Sequence, residues 1–228
     1  MSHILLQPAY VLHQRSFRET SLIVESFTRD HGRVAVVARG AKSARSRWRN
    51  VLQPFRPLLL SWIQKSELGT LTAADQVASP PALQGQALYC GLYLNELLMR
   101  LLHRSDPHVE VFERYWHLLS ELASGAAPQP LLRVFEKHLL EAIGYAMLLD
   151  QEYSGGEAIQ AQQWYEYKPD RGPVRRAGPS KDLISGQALL DLYSERLSPD
   201  NLSQLRRLMR RVIGYHLGSK PLASWSLL

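Results

Sequence analysis

Residues 22–38 read LIVESFTRDHGRVAVVA, a β-branched, apolar run over 22–28, a turn centred on Asp30-His31-Gly32, and a second such run over 34–38. Short runs rich in Val and Ile, bounded by turn formers, are strand chemistry. Gly32 can take a positive φ without a Cβ penalty, so the two runs are expected to pair as a hairpin. Similar runs occupy 10–13, 55–63 and 68–74. Five short strands in so little chain predict a small closed barrel. The five-stranded OB-fold is the best-attested barrel of that size, and it commonly binds single strands.

The pattern changes at Ser79-Pro80-Pro81, where two prolines break any regular element. Beyond it the period is helical. Leu88, Leu92, Tyr93, Leu97, Leu98, Leu101 and Leu102 lie at helical spacing within 83–103, and further helices are expected over 109–123, 131–147, 185–196 and 199–217. Ser185 suits an N-cap, and Pro199 the first position of a helix capped by Ser198. Residues 150–183 are rich in Gly and Pro and read as a small irregular insert or hairpin. The expected class is therefore α+β, with a five-stranded OB-fold barrel at 1–79 and an all-helical domain at 80–228 carrying that insert.

Composition narrows the partner. The chain has 228 residues, 45% of them hydrophobic, enough for a substantial core. The single cysteine, Cys90, excludes an internal disulfide and a cysteine metal cluster. No stretch is apolar for long enough to span a membrane, and no secretory leader is visible, so a soluble cytoplasmic protein is expected. The formal charge of +6 suggests a polyanion, and its distribution sharpens this. Between Asp30 and Glu67 there is no acidic residue, while Arg33, Arg39, Lys42, Arg45, Arg47, Arg49, Arg56 and Lys65 all fall there. Small residues interleave the cations, which lets backbone amides approach phosphates while arginine forks donate. Trp48 sits inside the run; it can stack on a base or pack against the barrel, and packing is the plainer role.

Two further clusters carry charge. Arg206, Arg207, Arg210 and Arg211 recur at i, i+1, i+4 and i+5, so they are expected on one helix face. That face is either a phosphate track, a seat for an acidic partner, or merely solvated. Arg133 and Lys137 share a helix side near Leu132, Phe135 and Leu140. A cation at the border of an apolar groove suits a peptide with a hydrophobic end and a free carboxylate, although a mixed helix face is the default.

Catalytic motifs are missing. There is no phosphate-cradling Gly-x-x-x-x-Gly-Lys-Ser/Thr loop, no Gly-x-Ser-x-Gly elbow and no His-Glu-x-x-His. His138 and Glu141 lack a second pair to complete a metal site. Glu96, set among leucines, reads as a hydrogen-bonded buried carboxylate rather than a base. No enzyme, cofactor or metal is expected.

Several segments, taken in order, resemble the RecO family of bacterial recombinational repair. They are Val11-Leu12-His13 with Glu19-Thr20-Ser21-Leu22, Phe27-Thr28, Gly32-Arg33-Val34, Ala38-Arg39-Gly40-Ala41, Leu52-Gln53-Pro54-Phe55 and Pro57-Leu58-Leu59-Leu60. Further on come Gly91-Leu92-Tyr93-Leu94-Asn95-Glu96-Leu97-Leu98, Phe135-Glu136, Leu139-Leu140, Gly144-Tyr145 and Leu217-Gly218-Ser219-Lys220-Pro221-Leu222. The resemblance implies an OB-fold, a helical C-terminal domain, binding of single- and double-stranded DNA, and annealing of complementary strands. It also implies cooperation with RecR in loading RecA onto DNA coated by single-stranded DNA-binding protein, whose C-terminal tail would be met by Arg133. A nucleoid-associated location goes with such a role. Some members carry a four-cysteine zinc module; residues 150–181 hold no cysteine here, so the insert is expected to keep its shape by packing of Tyr153, Trp164, Tyr165 and Tyr167. The rival readings are an OB-fold RNA-binding protein, a hydrolase with a site assembled from distant residues, and a protein scaffold that touches no nucleic acid.

Overall fold

In the computed structural model, which describes residues 2–228, the 22–38 stretch is the expected hairpin. Its strands are β2 (Ser21–Thr28) and β3 (Gly32–Ala38), paired antiparallel from Leu22↔Ala38 to Thr28↔Gly32. Gly32 has φ +62°, and a Cβ there would lie 2.1 Å from the Asp106 carbonyl oxygen, so glycine is required on both counts. Around the hairpin lie β1 (Ser2–Phe17), β4 (Leu58–Gln64) and β5 (Leu68–Gln76). Pairing runs β1-β2-β3-β5-β4 and returns from β4 to β1, closing a barrel; the β3–β5 contact is parallel.

β1 is far longer than its apolar run because it serves two neighbours. Its outer half pairs with β4 and its inner half with β2, and the register slips between Ile4 and Gln7 and again between Val11 and His13. Bulges of this kind bend a strand and let a small sheet close. Val11, Val24, Val36, Leu60, Trp62 and Leu71 fill the barrel interior.

The division at Ser79-Pro80-Pro81 marks where strands give way to helices, yet the compact units divide elsewhere. Unit 1 is Met1–Ala126 with Leu222–Leu228, and unit 2 is Ala127–Pro221. Helices α1 (Gly85–Leu101) and α2 (Val109–Ala123) belong with the barrel. The reason is a buried joint. Asn95 on α1 donates to the Leu12 carbonyl at 3.1 Å and accepts from the Tyr115 hydroxyl of α2 at 2.5 Å. Tyr10 and Phe27, on the outside of the barrel, pack against Phe112 with ring centroids 5.2 and 5.4 Å away. Burial pushes the Tyr115 hydroxyl far above the usual phenol range.

Unit 2 corrects the all-helical expectation. It holds α3 (Pro128–Ala142), α4 (Gly186–Ser194) and α5 (Leu202–Leu217), but also a three-stranded sheet. Its strands are β6 (Trp164–Lys168), β7 (Gly172–Arg176) and β8 (Ile184–Ser185), in the order β7-β6-β8. Of the two readings of the insert, irregular or hairpin, the hairpin holds, with a third short strand added. Tyr165 and Tyr167 are buried in it and Trp164 half-buried, whereas Tyr153 is 50% exposed and lies outside its core. Helix α3 stops earlier than its apolar pattern, because Gly144 takes φ +86° just past the end. Ser185 caps α4 as expected, accepting from the Ala188 amide at 3.3 Å. Leu132, Phe135, Leu139, Leu205, Met209 and Val212 form the core where α3 meets α5.

Candidate nucleic-acid interface

The basic stretch becomes the long connection from β3 to β4. Its backbone is a series of turns, held at 3.1 Å from Ser43 N to Gly40 O and 3.0 Å from Ser46 N to Ser43 O. Trp48 and Leu52 anchor it. Trp48 is only 7% exposed, and its indole Nε1 donates to the Arg39 carbonyl at 3.2 Å. The Arg47 guanidinium lies 4.1 Å from the centre of the Trp48 ring and also donates to the Thr72 carbonyl. The structure therefore places Trp48 in the core, not on the surface as a free stacking face. Its work is to pin the loop so that Arg39, Lys42, Arg45, Arg47 and Arg49 stay exposed.

Three of these cations, Arg39, Arg45 and Arg47, border two adjoining hollows. One, of about 420 Å³, is lined by Arg39, Gly40, Arg45, Ser46 and Arg47 among others. The other, of about 660 Å³, is lined by Arg18, Glu19, Thr20, Val37, Arg39 and Thr70 among others. Arg39 belongs to both. The Lys42 amide donates to the Thr20 carbonyl at 2.9 Å, tying the basic loop to the β1–β2 turn. Arg18, exposed at φ +55° in that turn, thereby joins the basic strip. Sequence reasoning missed it, since it precedes Glu19 and lies outside the acid-free run; only the turn's approach to Arg39 reveals it.

Arg33 stands apart. Its side chain is 15% exposed, its Nη1 pairs with Glu25 at 3.1 Å, and its Nε donates to the Leu102 carbonyl at 3.1 Å. Glu25 is buried and also accepts from Arg104. Burial lowers the Arg33 pKa, and Glu25 pushes it partway back. This guanidinium is committed to the fold rather than presented to a ligand.

On α5 the four arginines divide. Arg207 and Arg211 are exposed, while Arg206 and Arg210 are half-buried. Arg211 donates twice to the Asp182 carbonyl, at 3.2 and 3.1 Å, and Arg207 to the Ser203 carbonyl at 3.3 Å. On α3, Arg133 is 4% exposed and pairs with Glu136, leaving its Nε and Nη1 without hydrogen-bond partners. Lys137 pairs with Glu195 at 2.5 Å. Burial would raise the Glu195 pKa, but the Lys137 hydrogen bond and the nearby His138 hold it below the usual carboxylate range. The expected groove-edge cations are thus one enclosed arginine and one satisfied lysine. Glu96 accepts from the Ala223 and Ser224 amides, both at 2.8 Å, and from the Ser224 hydroxyl, as befits a structural carboxylate. Among the described residues, no three His, Cys, Asp or Glu side chains are grouped to hold a metal, and no helix is long and apolar enough to cross a membrane.

Two family models cover nearly the whole chain. Residues 1–80 match the N-terminal region of recombination protein O and residues 82–226 its C-terminal region. Their junction coincides with the change from strands to helices. A DNA repair protein RecO from Nitrosospira multiformis is 48% identical over 226 residues, covering 97% of this chain and 93% of that protein. Proteins of the same name from Nitrosococcus oceani and Methylococcus capsulatus are 45% and 46% identical, each across 99% of this chain and 93% of the relative.

Proposed function

Because the chain belongs to the recombination protein O family, we propose that it is a non-catalytic DNA repair mediator whose barrel, of the OB type in its strand order, holds DNA by the backbone. The observation that carries this is the exposed strip of Arg39, Lys42, Arg45, Arg47 and Arg49, with Arg18 drawn in by the β1–β2 turn. Phosphate contacts of this type position a strand without reading its sequence. Single- and double-stranded DNA both present such phosphates. Neutralising them lowers the repulsion between two strands held together, which is how annealing proceeds without nucleotide hydrolysis.

The finer parts of the proposal are suggested by the resemblance to that family. With RecR, the protein helps load RecA onto DNA coated by single-stranded DNA-binding protein, in the cytoplasm and associated with the nucleoid. The acidic, hydrophobic C-terminal tail of that protein docks at Arg133, with Lys137 beside it. Two unpartnered nitrogens on the Arg133 guanidinium, Nε and Nη1, support this, since a buried donor without a partner is costly and an incoming carboxylate satisfies it. Docking then requires Glu136 to yield its hold on the same guanidinium. Arg207 and Arg211 supply the exposed positive surface of α5, with Arg206 and Arg210 behind them.

The test is salt-dependent binding of a labelled single strand. If about five phosphates are neutralised, the slope of log K against log salt is about −3.5. Reversing Arg45, Arg47 and Arg49 together flattens it. Wild-type protein that shows no salt-sensitive binding overturns the proposal. A strict requirement for the 2′-hydroxyl moves it to RNA.

A further inference from the structure

Unit 2 carries an exposed aromatic group that the basic strip of unit 1 does not use. Tyr145 and Tyr215 are 48% and 57% exposed, and both touch His216. The Tyr145 ring stacks on the His216 ring with centroids 3.9 Å apart and planes 20° apart. Tyr215 meets His216 edge-on at 5.2 Å and 85°. Large aromatic faces left in water at one spot call for an account, since apolar surface is ordinarily buried.

The backbone holds the group rigidly. Gly144 takes φ +86°, its amide donates to the Glu141 carbonyl at 3.0 Å, and the Tyr145 amide donates to the Leu140 carbonyl at 2.8 Å. This is a Schellman ending for α3. The residue in the Tyr145 position normally folds its side chain back onto the helix it follows; here the ring lies on His216 of α5 instead. Burial keeps the His216 pKa below its usual value, so the ring is neutral at physiological pH and stacks as an uncharged plane.

The charge beside these rings is positive. Arg207, Arg211 and Tyr215 follow one another at four-residue intervals along α5, and all three are exposed. A line of guanidinium groups that ends in flat aromatic faces matches a strand whose phosphates run beside unstacked bases. A duplex hides its base faces, and a run of acidic side chains has no flat face to lay on the rings, so neither uses both the rings and the arginines.

We propose that Tyr145, Tyr215 and His216 form a base-stacking platform for single-stranded DNA, with Arg207 and Arg211 contacting the adjoining phosphates. This rests on the DNA-binding reading above and adds a ligand class to unit 2. The platform takes an unpaired base by its π-face, so it tolerates any base.

The experiment compares two probes of equal length and charge on the full chain, a pyrimidine oligonucleotide and the same backbone made abasic. Wild-type protein is expected to prefer the base-bearing strand by about tenfold, a usual size for one or two stacking contacts. Tyr145→Ala with Tyr215→Ala removes that preference and leaves abasic binding and its salt slope unchanged. Tyr145→Phe with Tyr215→Phe retains the preference, which separates ring stacking from a folding defect. Equal binding of both probes by wild type overturns the platform, as does loss of affinity for both in the alanine variant. If wild type binds neither probe at low salt, the DNA-binding reading falls as well; if it binds both but ignores the ring substitutions, only the platform falls.

Discussion

Replacing Arg33 with Gln separates a structural arginine from a DNA contact. The guanidinium makes two bonds that glutamine cannot reproduce together, one to Glu25 at 3.1 Å and one to the Leu102 carbonyl at 3.1 Å. A hydrogen bond between charged groups contributes about 1.5–3 kcal/mol and one to a backbone carbonyl about 1 kcal/mol. Glu25 stays buried and keeps Arg104, so the full penalty of an isolated buried charge does not apply. The expected loss is about 3 kcal/mol, which corresponds to a drop of about 9 °C in the melting temperature of a body of this size. Urea unfolding followed by tryptophan fluorescence measures it, since Trp48 and Trp62 are buried in the same barrel. Because Arg33 faces Glu25 and not solvent, the salt slope of DNA binding should equal the wild-type slope. Arg47→Gln should do the reverse, keeping stability within about 1 kcal/mol and lowering the slope by about 0.7. An Arg33→Gln protein that is as stable as wild type but loses one phosphate's worth of slope refutes this reasoning.

Trp48→Leu should cost about 2 kcal/mol, because a smaller side chain leaves part of a core site empty, while DNA affinity stays within about twofold; a loss of about tenfold or more would make Trp48 a stacking residue after all. Arg133→Met should destabilise unit 2 by about 3 kcal/mol by taking the Arg133 ion pair from the buried Glu136, and adding Glu136→Leu should recover most of it. That double variant should bind DNA normally and fail to bind the tail peptide; tail binding that survives refutes Arg133 as the docking group. Against the burial that would raise it, hydrogen bonds from Ser224 and Ala223 hold the Glu96 pKa below its ordinary 4.5. Its contribution to stability is therefore complete above pH about 4.5 and fades as pH falls through the lower folded value. Glu96→Gln should be less stable at pH 7 and show a shallower loss on acidification; identical acid profiles for the two proteins would contradict this.

The 22–38 hairpin and α2 could be read almost residue by residue, since each is a local pattern closed by a local stop. β1 could not, because both its ends pair with strands that alternation alone does not identify, and its bulges break the alternation. Charge was the harder signal. Arg33, Arg45 and Arg47 look alike in the sequence, but Glu25, on the partner strand and two residues from Phe27, the register mate of Arg33, claims one of them. Arg133 and Glu136 sit only three apart, and nothing in that spacing tells that both are buried. The Gly- and Pro-rich turns at 150–183 left irregular structure and hairpin equally open, and they gave no sign of the short third strand at 184–185, because such turns serve both.

Unit 1 is discontinuous along the chain. Its last piece, Leu222–Leu228, rejoins it only after all of unit 2, and the bonds to Glu96 bridge 127 and 128 positions. A protein is synthesised from its N-terminus, so the barrel, α1 and α2 leave the ribosome well before the residues that complete them. During that interval the Glu96 carboxylate is solvated and the slot filled by Leu222 stands open. The seat closes only when the far end of unit 2 has been made. Arrest or cleavage inside unit 2 therefore leaves a unit 1 whose barrel is closed but whose α1 bears an unsealed apolar notch.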